Sequence, residues 1–165
     1  MKELIEDSLS RLIKRGGIYY GVSGGSLEEV MSNIIGNLPA DLLPSRKNEA
    51  LLQAVMEREA LISTGIENGV ALPHPRTPML EDGEDPFVAI AFPLNPLDWG
   101  TPDGSKVHTV FLIVSKSPKQ HLAAFSKITF LCQQKEFFSL LSARAPNKKI
   151  IAAIGKAEKD WGANG

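Results

Sequence analysis

The sequence has one cysteine, Cys132, so it forms no internal disulfide and suits a reducing, cytoplasmic setting. It has almost no net charge: 18 Lys and Arg against 19 Asp and Glu leave −1. That balance excludes the basic footprint of a nucleic-acid binder and any charge bias toward a membrane surface. It has no long apolar run. Residues 107–114 are interrupted by His108 and Thr109 and are too short to insert across a bilayer. Its first residues, Met-Lys-Glu-Leu-Ile-Glu-Asp, are acidic and amphipathic, unlike a signal peptide. Internal repeats and low-complexity stretches are absent too.

What is present is 165 residues with 43% apolar content, enough for one domain around its own core. Leu4, Ile5, Leu9, Leu12 and Ile13 recur at helical spacing, predicting a helix over 2–15 that forms an N-terminal extension (1–16) of that domain. Gly16-Gly17 ends it. Ile18-Tyr19-Tyr20 reads as a strand, followed by a glycine turn over 21–25. Ser26 with Glu28 and Glu29 predicts a helix over 26–37. Pro39 and Pro44 bracket a loop, and a further helix is expected over 47–60. Strands are expected over 69–72, 87–93 and 107–114. The last two are nearly continuous apolar runs, as in strands covered on both faces. Asp103-Gly104 supplies a tight turn before the last strand, and Ser117-Pro118 opens a helix carrying His121. Helices over 134–143 and 146–158 complete the chain. Helices grouped in this order must cover both faces of one mixed sheet, an α/β arrangement.

The most informative stretch is 63–78, Ser-Thr-Gly-Ile-Glu-Asn-Gly-Val-Ala-Leu-Pro-His-Pro-Arg-Thr-Pro. Val70-Ala71-Leu72 stops at Pro73, so His74 stands at a strand end between two prolines. Pro73 and Pro75 have fixed φ and no amide proton, so neither extends a sheet interior. The imidazole sits on stiff backbone, which suits a group that meets something outside its own core.

The segment Arg58-Glu59-Ala60-Leu61, then Ser63 through His74, together with Gln120-His121-Leu122-Ala123-Ala124-Phe125-Ser126, resembles the enzyme IIA domain of the bacterial phosphotransferase system. The likeness is to the fructose/mannitol type and, within it, to the nitrogen-regulatory branch, over roughly residues 17–158. It implies a three-layer α/β/α sandwich on a mixed sheet. It implies that His74 accepts a phosphoryl group from the small carrier HPr or its nitrogen-branch counterpart, and that His121 faces it. It places Arg58 near the phosphoryl group. Downstream, it implies either regulation of a kinase or transporter, or transfer to an enzyme IIB for a fructose- or mannitol-class sugar. A non-phosphorylated binding module on the same fold is a third reading. Two departures stand out. Pro75-Arg76 replaces the Gly and Lys common after the histidine, and Glu67 replaces a common Gly before Asn68.

The chemistry fits these residue types. Transfer between imidazoles needs a free lone pair at neutral pH, and needs no metal or cofactor. The protein supplies position and charge. Arg58 offers a permanent forked cation. Ser63 and Thr64 offer hydroxyl donors, and Arg76 a second cation. Each has a plainer reading: Arg58 and Arg76 as solvated surface, Ser63 and Thr64 as turn residues, His121 as an idle helix-start residue. His108 reads as structural, Cys132 as a small core hydrophobe, and Trp99 and Trp161 as loop and tail packing. Asp82, Glu84 and Asp85 read as a solvent-facing loop. Gly21-Val22-Ser23-Gly24-Gly25 fits the G-x-S-x-G elbow of esterases, but only one strand precedes it and no paired Asp and His follow. A zinc site from His74 and His121 has no evident third ligand.

Overall fold

The computed structural model describes residues 8–43 and 47–164. The first half of the helix predicted over 2–15 lies outside them, as does Pro44. The described helix, α1 (Leu9–Gly16), starts where the Ser8 side chain accepts the Arg11 amide. It ends as Gly17, at φ 93°, donates its amide to the Ile13 carbonyl. A Cβ at Gly16 would collide with the Val88 carbonyl, so glycine lets α1 lie flush on the sheet.

Chain order then gives β1 (Ile18–Val22), α2 (Leu27–Gly36), α3 (Asn48–Leu61), β2 (Gly65–Ile66), β3 (Val70–Ala71), β4 (Phe87–Pro93) and β5 (Thr109–Val114). Three helices follow: α4 (Pro118–Cys132), α5 (Lys135–Ser142) and α6 (Asn147–Asn164). The strands line up β1-β4-β5-β3-β2. β1 is parallel to β4 and β3 to β5, whereas β4–β5 and β3–β2 are antiparallel, so the sheet is mixed.

The expected strands 69–72 and 107–114 are shorter here, and β2 was not expected. Two residues of β2 are too few to carry an alternation pattern. Val107 leaves the β5 line to pair with Leu97, so β5 begins at Thr109.

Every residue of β4 and β5 is buried. Alternation splits them between two cores. Val88, Ile90, Phe92, Phe111 and Ile113 meet α1, α4, α5 and α6. Phe87, Ala89, Ala91, Val110, Leu112 and Val114 meet α2 and α3. The result is the three-layer α/β/α sandwich. Cys132 is buried in the first core, which pushes its thiol up to about 12 and leaves it a hydrophobe. Trp99 is buried in the second core, and Trp161 packs edge-on to Phe130 at 5.6 Å. In the acidic loop Asp82 and Asp85 are exposed, but Glu84 is half-buried and paired to Lys47 at 2.7 Å.

Candidate active site

The site lies where β3 and β5 end and α4 begins. Its path starts at a tight turn over Glu67–Gly69, with Asn68 at φ 64° and Gly69 at φ 77°. Asp103 and Ser105 clamp that turn: Asp103 accepts the Asn68 amide at 3.0 Å and Ser105 the Gly69 amide at 2.9 Å. The Asn68 amide, with the hydroxyl and amide of Ser105, holds the Asp103 carboxyl well below the usual carboxylate range. His108 donates from Nε2 to the Asn68 carbonyl at 3.0 Å and accepts at Nδ1 from the Thr109 hydroxyl at 2.7 Å. Both its nitrogens are engaged in holding the turn. Glu67 is exposed at the far end of β3 from His74, so its carboxylate does not crowd the site.

Beyond β3 the chain stays extended. The Leu72 amide donates to the Thr64 carbonyl at 3.1 Å, and the Pro73 carbonyl accepts the Ile113 amide at 3.1 Å. His74 then folds its ring back, and Nδ1 lies 2.8 Å from the Leu72 carbonyl. A carbonyl only accepts, so Nδ1 carries the proton and Nε2 the lone pair. His74 is half-buried, and burial lowers its pKa. Arg58 adds to the lowering, while the Leu72 carbonyl and Glu59 oppose it.

His121 enters from the first turn of α4. Ser117 caps that helix by accepting the Gln120 amide at 3.1 Å, with Pro118 at its first position. The two imidazoles meet with centroids 4.3 Å apart, tilted by 45°. Phe125 lies against both, at 6.4 Å from His74 and 5.8 Å from His121. Burial, then His74, then Arg58 drive the His121 pKa down to about 4. Both rings are therefore neutral at pH 7.

A cleft of about 270 Å³ opens on the pair, lined also by Arg76, Thr77, Ser117 and Leu122. Larger hollows of about 390, 300 and 400 Å³ lie beside Asp41, between α2 and α3, and between α1 and α6, and none of these is lined by a histidine. The structure thus brings His74, His121 and Arg76 to one cleft. Arg58 lies outside the lining, but its charge acts on both imidazoles. Its Nη1 donates to the Ile62 carbonyl at 2.7 Å, capping the end of α3.

Ser63 and Thr64 are placed differently. The Ser63 hydroxyl donates to the Trp99 carbonyl, and the Thr64 hydroxyl to Glu59 at 2.5 Å. Each hydroxyl hydrogen is engaged in the turn, so neither points at an anion in this state. The residues missed by sequence reasoning are Glu59, Phe125 and the Leu72 carbonyl. Glu59 was visible beside Arg58, and asking what satisfies the buried Thr64 would have found it. Ser23 contacts Asn33, and among the described residues no histidine reaches it, so the esterase elbow has no base. Among the described residues, no three His, Cys, Asp or Glu side chains gather as metal ligands do. No described helix is long and apolar enough to cross a membrane.

Known proteins are similar to this chain in sequence and in fold. The family model "Phosphoenolpyruvate-dependent sugar phosphotransferase system, EIIA 2" matches residues 11–157. The nitrogen regulatory protein of Pseudomonas aeruginosa is 29% identical over 148 residues, covering 88% of this chain and 93% of that protein. The fructose-specific EIIABC component of Bacillus subtilis is 27% identical, and this chain spans 24% of its length. Among solved structures, the nitrogen regulatory protein IIA-Ntr of Neisseria meningitidis superposes with a TM-score of 0.75 at 22% identity, covering 88% of this chain and 97% of that one. IIA mannitol of Escherichia coli does so at 0.64 and 15% identity, covering 83% and 94%. With the matched span covering nearly the whole sandwich and its histidine pair, the chain belongs to the EIIA type 2 family of the phosphoenolpyruvate-dependent sugar phosphotransferase system.

Proposed function

We propose that this chain is a phosphocarrier that accepts a phosphoryl group on Nε2 of His74. The observation that carries the reading is the imidazole pair, with His74 Nδ1 tied to the Leu72 carbonyl and Nε2 left with its lone pair. Nε2 attacks phosphorus, the donor's N–P bond breaks, and its electron pair returns to the donor nitrogen. No proton has to move in that exchange. His121 and Arg58 supply N–H donors and charge to the phosphoryl oxygens.

The donor is an HPr-like carrier, which puts the reaction in the cytoplasm. Relatives named nitrogen regulatory protein favour a mainly regulatory role, in which phosphorylation changes binding to a kinase or transporter. A second reading, transfer to an enzyme IIB during sugar uptake, is supported by fructose-specific relatives and by a fold match to the Escherichia coli complex of IIAMTL with phosphorylated IIBMTL.

Incubation with enzyme I, carrier and phosphoenolpyruvate tests the reading. The account expects one acid-labile, base-stable phosphoryl group, absent in His74→Ala. No label, or an undiminished label in that variant, would reject it and leave a plain binding module. Rapid loss of label to one IIB protein would favour sugar transfer over regulation.

A further inference from the structure

Glu59 stands in the last turn of α3, where the helix dipole disfavours a carboxylate. Both its oxygens serve one residue. Oε2 accepts the Thr64 amide at 2.7 Å and Oε1 the Thr64 hydroxyl at 2.5 Å. The Thr64 carbonyl accepts the Leu72 amide at 3.1 Å. The Leu72 carbonyl accepts His74 Nδ1 at 2.8 Å. A continuous line of hydrogen-bonded residues therefore runs from a carboxylate on α3 to the imidazole in the cleft. Thr64 is 6% exposed and Leu72 0%, so water has little access to replace these bonds.

We propose that Glu59 is a positioning residue for phosphoryl transfer, fixing through Thr64 and Leu72 the orientation and the Nδ1-protonated tautomer of His74. The proposal rests on His74 being the acceptor. With the proton on Nε2 instead, the ring has no lone pair facing the cleft. A displacement of about 1 Å at a reacting atom costs about 10²-fold in rate. The groups acting on His74 are Arg58, Glu59, His121 and the Leu72 carbonyl. Glu59 is the one anion among them. As the N–P bond forms, positive charge develops on the ring, and Glu59 favours it while Arg58 opposes it. A residue that merely closed the α3–β2 turn would leave the His74 ring unchanged when replaced.

The test uses the full chain with ¹⁵N-labelled histidine, as wild type, Glu59→Gln and Thr64→Val. Ring ¹⁵N shifts report the tautomer and titration of His74. Phosphoramidate, a small donor that needs no docking, reports reactivity as Nε2 displaces ammonia. Wild type is expected to hold the proton on Nδ1. Glu59→Gln is expected to move population to Nε2–H, lower the His74 midpoint and slow labelling about tenfold. Thr64→Val keeps the carboxylate and removes one link, so it shifts the tautomer with a smaller change in midpoint. Wild-type shifts, midpoint and rate in Glu59→Gln would overturn the proposal, even with a lower melting temperature. If Glu59→Gln does not fold, Thr64→Val decides by the same tautomer measurement. If wild type is never phosphorylated on His74, the acceptor reading fails. The ¹⁵N comparison still decides whether Glu59 holds the ring.

Discussion

His121 stays neutral in the folded chain down to about pH 4, because burial and the neighbouring His74 and Arg58 disfavour its cation. In the unfolded chain an imidazole takes up its proton near pH 6.5. Between those values the unfolded state binds more protons, so stability is fully present above about pH 6.5 and declines as pH falls toward about 4. His74, also lowered, acts in the same direction. Urea titrations at pH 7 and pH 5 check this, and His121→Gln is expected to flatten the difference. An unchanged slope in that variant would assign the pH effect elsewhere. Arg58→Ala is expected to slow labelling on the order of 10²-fold with the fold intact, since it removes a charged donor near the phosphoryl site. A normal rate removes Arg58 from the chemistry. The meeting of His74 with His121 was legible in the sequence because both stand in the two segments that carry the family resemblance. The hydroxyl directions of Ser63 and Thr64 were not, because they depend on the Trp99 carbonyl and on Glu59. No local pattern encodes a partner 36 residues away.

α1 was expected from its spacing, and packing gives it a task. Leu9, Leu12 and Ile13 bury against β4 and α6 in the first core. Its start is tied to α6 by Glu158, which accepts the Leu9 amide at 2.6 Å and the Ser10 amide at 3.1 Å. A carboxylate there also complements the positive end of the helix dipole. Glu158→Ala orphans both amides and is expected to cost about 1 to 2 kcal/mol. Chemical denaturation measures it, and a change within error would show that Ser8 alone suffices as the cap. The long strands β4 and β5 were legible from continuous apolar runs. β2 was not, because two residues paired across a tight turn carry no alternation pattern, and the start of β5 was not, because it is set by the Leu97–Val107 bridge rather than by local composition.

At the scale of the whole molecule, a nearly neutral chain concentrates cations around one opening. Arg76, Lys116 and Lys119 are exposed on the segments that bound the cleft, with Arg58 behind. The one carboxylate in segments 58–64, 74–78 and 115–122 is Glu59, and it is bound to Thr64. Carrier-driven labelling is therefore expected to slow as salt rises. Lys119→Glu is expected to slow it several-fold while phosphoramidate labelling keeps its rate. Equal slowing with both donors would mean that the lysine acts on the phosphoryl group itself. The central claim concerns a single atom. ³¹P–¹⁵N correlation on histidine-labelled protein, phosphorylated through enzyme I and carrier, reads that atom directly. The account predicts coupling to Nε2 of His74, with His121 unmodified. Coupling to Nδ1, or phosphate on His121, would contradict it.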